Sequence, residues 1–105
     1  MFIKCLELKE NIGVIFSVDG ESSDILYLSI EDAKVLRDLS ELAVDKKNTE
    51  SSIFTGNDKF TYIKQDNASY LLSIKVNSFF AKGYVLDYRL LRSLIFSLNK
   101  TIGIK

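Results

Sequence analysis

One short segment carries the clearest hint of chemistry in this chain. Lys59, Phe60, Tyr62 and Lys64 interleave ammonium groups with aromatic rings, and the period of two along a strand puts Phe60, Tyr62 and Lys64 on one face. Lys75 and Lys82 fall on segments that neighbouring strands would carry. Rings on an open sheet surrounded by lysines form a platform for single-stranded nucleic acid. Each base offers a face to stack, and each phosphate a charge to neutralise. The competing reading of Phe60 and Tyr62 is hydrophobic core, and the segment contains no RNP-type sequence. A second constellation, Tyr88, Arg92 and Phe96, follows an i, i+4, i+8 line beside the main apolar stripe of the last helical segment. Tyr and Arg are enriched at protein interfaces, with Phe as an anchor; the alternative is that Phe96 extends the core.

The other side chains exclude chemistry. The chain has no His, which removes the commonest general base and metal ligand, and with it most triad and zinc chemistry. The single Cys5 can build neither an internal disulfide nor a thiolate metal site, and reads as a small buried hydrophobe in the first strand. The five glycines are scattered and set up no phosphate-binding fingerprint. Asp19, Glu21 and Asp24 form the densest carboxylate cluster. They lack the spacing and the later glutamate of a calcium loop, and read as a solvated hairpin tip. The expectation is a binding module rather than an enzyme, with no metal and no cofactor.

At 105 residues and 47% apolar composition, the chain is long enough for one domain with a modest core. No apolar run approaches the roughly 20 residues of a membrane helix, and the first residues lack a secretory core with a cleavage site. A cytoplasmic protein without a membrane partner is the expectation. Net charge is zero but unevenly placed. Residues 1–50 hold 11 acidic and 6 basic side chains, a balance of −5, whereas residues 51–105 hold 3 and 8, a balance of +5. Segregated halves would steer a polyanion to one face or favour pairing of two copies, and a homodimer is expected; interdigitated halves would mix the charges.

These side chains need elements to position them. Alternation predicts strands over residues 2–9, 12–18 and 25–28, with Ile12, Val14, Phe16 and Val18 on one face and a turn at Asp19-Gly20. Ser29 caps a helix through the Asp32 backbone N–H, and its stripe is Ala33, Leu36, Leu39, Leu42 and Ala43. Residues 44–58 read as a linker with room for a short strand at Ile53-Phe54. Strands follow over 59–65, 69–76 and 79–85. Asp87 then caps a helix whose stripe is Leu90, Leu91, Leu94, Ile95 and Leu98, with Gly103 beyond its end.

The plan is therefore written twice, with pseudo-repeats over about 2–43 and 53–99. The helices align at a spacing of 55 (Asp32 with Asp87, Leu36 with Leu91) and the strands at 56 (Asn11 with Asn67, Ser17 with Ser73), which requires one insertion. The fold expected is α+β, a duplicated antiparallel β-meander plus helix (βββα-βββα), with both helices on one side of the sheet. The junction Ile25-Leu-Tyr-Leu-Ser-Ile-Glu-Asp-Ala-Lys-Val-Leu36, with a second copy ending at Leu91, resembles the strand-to-capped-helix step of the PUR-repeat and Whirly families. That resemblance implies single-stranded nucleic-acid binding on the sheets, or transcription-related regulation. The size and Asn/Lys/Ile-rich composition are also similar to small phage-encoded regulators and inhibitors, which implies a protein partner instead.

Overall fold

Alternating apolar residues fold the first segment into a three-stranded antiparallel sheet of β1 (Phe2–Glu7), β2 (Ile12–Ser17) and β3 (Asp24–Leu28), in the order β1-β2-β3. The Leu8 N–H donates to the Asn11 carbonyl at 3.0 Å, closing the first hairpin. Ile3, Ile12, Val14, Phe16 and Leu28 are buried on its inner face. The computed structural model describes residues 2–17, 24–45, 53–56, 59–64, 69–77 and 79–104. The Asp19-Gly20 turn with its carboxylates, the Asn57-Asp58 and Asp66–Ala68 turns, and the Lys64 side chain lie outside the described residues.

The helix α1 (Ile30–Asp45) begins where the cap was expected, the Asp32 N–H donating to Ser29 Oγ at 3.1 Å. Glu31 and Asp32 lie at its positive end. Its buried stripe is Ala33, Leu36, Leu39, Ser40, Ala43 and Val44. Leu42, expected in that stripe, is exposed, and Ser40 takes an inward place. A serine is tolerated there because its hydroxyl is bonded: Ser40 Oγ donates to the Leu36 carbonyl at 2.7 Å and lies 2.8 Å from the Tyr62 hydroxyl.

The second segment forms a separate antiparallel sheet of β4 (Ile53–Gly56), β5 (Phe60–Lys64), β6 (Ser69–Asn77) and β7 (Phe80–Asp87), in the order β4-β5-β6-β7. It is followed by α2 (Tyr88–Ile104), capped by Asp87, whose Oδ1 accepts from the Leu90 N–H at 2.7 Å. The chain is thus α+β, with each antiparallel meander followed by a helix. Three details differ from expectation. The second meander has four strands, because β4 forms, and the strands make two sheets rather than one. Gly103 falls inside α2 rather than beyond it.

The duplication is real at the level of pairing, but in a different register. The partners Ile12↔Leu28, Gly13↔Tyr27, Val14↔Leu26, Ile15↔Ile25 and Phe16↔Asp24 recur as Tyr70↔Leu86, Leu71↔Val85, Leu72↔Tyr84, Ser73↔Gly83 and Ile74↔Lys82, each residue 58 places later. The caps Ser29 and Asp87 stand at the same spacing, as do the buried pairs Leu36 with Leu94 and Ala33 with Leu91. One spacing therefore runs from β2/β6 through the helices without an insertion. It shifts to 57 only across the first hairpin of each unit, which places Ile3 opposite Phe16 and Phe60 opposite Ile74.

The two units exchange helices. After β3, α1 lies against β4 and β5; after β7, α2 lies along β1, and the helices also touch each other. The inner faces of the sheets meet in one core, where the Phe16 and Tyr84 rings stack at 4.0 Å with planes 12° apart. Opposite charges consequently mix. Lys59 of the basic segment pairs with Asp32 of the acidic one, Nζ to Oδ2 at 2.7 Å. The simple division into an acidic side and a basic side does not hold.

Candidate functional site

The aromatic strand residues are placed by the same alternation that made them conspicuous. Phe60 and Tyr62 share a face, but that face is the inner one, and both are fully buried beneath α1. Tyr62 meets Tyr70 edge-on at 6.5 Å. Neither ring can stack a base without unfolding the core, so the proposed platform is corrected at these two positions. The period of two fixes which residues share a face; helix packing decides which face is covered.

The lysines are sorted differently. The Lys75 N–H donates to the Lys59 carbonyl at 2.8 Å, which sets these two residues opposite each other at one end of the four-stranded sheet. Lys59 is partly engaged by Asp32. Lys75 is exposed and Lys82 half-buried, the latter one row in, beside Ile74. The β6–β7 turn lies at this same end. There Phe79 is 97% and Phe80 54% exposed. A register shift between Lys75 and Asn77 accompanies the turn. Three cationic residues and two exposed rings are thus gathered at one sheet end.

These phenylalanines were not singled out from the sequence, although a signal existed. Adjacent residues in a strand point to opposite faces, so Phe79 and Phe80 cannot both face one core.

The second constellation is assembled as its spacing required. Tyr88, Arg92 and Phe96 form an outer line on α2, and Phe96 is 69% exposed rather than core. The Arg92 guanidinium lies over the Tyr88 ring, 5.8 Å from its centroid, with Nη1 donating to the Tyr88 hydroxyl at 3.4 Å. Beside this line a groove of about 380 Å³ separates α2 from the end of α1, lined by Glu41, Val44, Arg92, Ile95, Phe96 and Asn99. On its other side Phe96 borders a second groove, against β1.

Two buried or part-buried groups are unlike the rest. Burial pushes the Cys5 thiol up from 9.0 to about 11, which keeps it neutral and unreactive near neutral pH. The Tyr70 hydroxyl is buried and has no hydrogen-bond partner among the described residues. Among those residues no group of three or more Cys, Asp or Glu side chains is placed to hold a metal. Among the described residues no helix is long and apolar enough to cross a membrane.

Compared with protein-family models, curated proteins and solved structures, the chain matches none.

Proposed function

We propose that this chain is a non-enzymatic binding module for single-stranded nucleic acid. The site is the end of the four-stranded sheet where Lys59, Lys75 and Lys82 surround the β6–β7 turn. One observation carries the reading: Phe79 and Phe80 are adjacent, large and exposed, where the turn enters β7, with lysines on both flanking strands. Exposed rings stack on bases whatever the sequence, and ammonium groups neutralise the phosphates between them. The meander–helix order, similar to that of the PUR-repeat and Whirly families, also favours it. The stacking role assigned to Phe60 and Tyr62 passes to Phe79 and Phe80. Lys59, Lys75 and Lys82 are the phosphate contacts, with Lys59 also paired to Asp32.

Titration of labelled single-stranded oligothymidylate at low salt, followed by fluorescence anisotropy, tests this function. Binding that is lost on Phe79→Ala and Phe80→Ala supports it. Failure to bind at low salt rejects it.

A second reading is favoured by one different observation, the exposed Tyr88–Arg92–Phe96 line beside its groove. It makes α2 a protein-contact surface, as a small regulator or inhibitor would need. Retention of a stoichiometric protein from nuclease-treated lysate by the wild type, and its loss with Phe96→Ala, is the corresponding result.

A further inference from the structure

We propose that the groove between α1 and α2 is occupied by a second copy of this chain, in a two-fold dimer. The inference rests on reading α2 as a contact surface. It is independent of nucleic-acid binding, because the groove shares no residue with the Phe79–Phe80 turn.

The groove carries both members of each contact that a symmetric interface needs. Its apolar knob is Phe96, 69% exposed, and its apolar seat is formed by Val44 and Ile95. It also carries both charges. Arg92 bonds the Tyr88 hydroxyl and meets no carboxylate among the described residues; Glu41 accepts a bond from Asn99 Nδ2 at 3.5 Å and meets no cation among them. Opposite charges in one groove that do not pair among the described residues can pair across a two-fold axis, each Arg92 with the Glu41 of the other copy.

The same operation seats each Phe96 on the other copy's Val44 and Ile95. Surfaces that are their own complement are what an isologous interface requires. The zero net charge of the chain opposes no such pairing.

Light scattering at tens of micromolar decides the matter, with a mass of twice 11.9 kDa expected for the wild type. Phe96→Ala should weaken the dimer about thirtyfold, as loss of a central anchor does. Arg92→Glu and Glu41→Arg should each give monomers, and the double variant should restore the dimer. All three positions are exposed, and an unchanged far-ultraviolet circular dichroism spectrum establishes that each variant folds. A monomeric wild type overturns the proposal. So does a dimer indifferent to all three single substitutions, or a double variant that stays monomeric. Oligothymidylate binding measured on the monomeric variants separates this outcome from the nucleic-acid reading, which predicts that binding survives.

Discussion

The hydroxyl of Ser40 on α1 lies 2.8 Å from the hydroxyl of Tyr62 on β5, and both side chains are buried. Ser40 Oγ uses its one proton on the Leu36 carbonyl, so the Tyr62 hydroxyl is the donor between them. The bond joins the helix of the first unit to the sheet of the second. It is the polar signature of the helix exchange. At the equivalent place in the other unit stand Leu98 on α2 and Cys5 on β1, elements that also lie together.

The direction of that bond makes its two deletions unequal. Tyr62→Phe leaves Ser40 bonded to Leu36 and should cost about 0.5–1.5 kcal/mol. Ser40→Ala strands the buried Tyr62 hydroxyl and should cost about 1–3 kcal/mol. Urea unfolding of the two variants measures the difference. Equal costs would mean that the two hydroxyls are not bonded in this order.

Tyr70→Phe should behave oppositely to either. It removes a buried hydroxyl that has no partner among the described residues, and should leave stability unchanged or raise it by about 1 kcal/mol. A loss comparable to that of Tyr62→Phe in the same unfolding assay would show that the Tyr70 hydroxyl is bonded.

Leu94 is fully buried at the centre of the α2 stripe, where it is the counterpart of Leu36 in α1. Leu94→Ala should cost about 2–5 kcal/mol through loss of contacts and the cavity left behind. A shift well below 1 kcal/mol would remove α2 from the core.

Much of this architecture is legible in the residues themselves. Ser29 and Asp87 mark their helices because a short oxygen-bearing side chain three residues before a free N–H has one obvious partner, and both bonds form. The repeat register is not legible, for a reason rooted in periodicity. Sliding a strand by two residues, from 58 to 56, keeps every side chain on its face. Sliding a helix by three, from 58 to 55, nearly keeps the stripe, so Leu36 can match Leu91 or Leu94. Only cap positions and strand pairing separate these alternatives. The same limit applies to the candidate site. Alternation groups Phe60 with Tyr62, but the face that α1 covers is settled by tertiary packing, and the exchange of helices leaves no local trace.

Stability should fall above pH 9. In the folded chain burial raises the Cys5 thiol from 9.0 to about 11, and burial also raises the Tyr62 phenol, opposed in part by its bond to Ser40. Both groups therefore hold their protons more tightly folded than unfolded. Their contribution is fully present below the unfolded values and is lost as pH climbs through the folded ones. For Cys5 the window runs from 9.0 to about 11. Urea midpoints measured across that range should decline, and Cys5→Ala should flatten part of the decline. A midpoint that rises with pH there would contradict the placement of the thiol.

The central claim, that the β6–β7 turn with its lysines binds single-stranded nucleic acid, is tested most directly by an oligothymidylate titration repeated over a range of salt concentrations. With two or three lysines on phosphates, log Kobs should fall against log salt with a slope of about −1.4 to −2.1. Phe79→Ala and Phe80→Ala should each weaken binding by about 1–3 kcal/mol at fixed salt while leaving that slope unchanged, because a ring stacks but releases no counterion. Replacing Lys75 and Lys82 should flatten the slope. Binding absent at low salt, or a slope and affinity that ignore all four substitutions, would contradict the account.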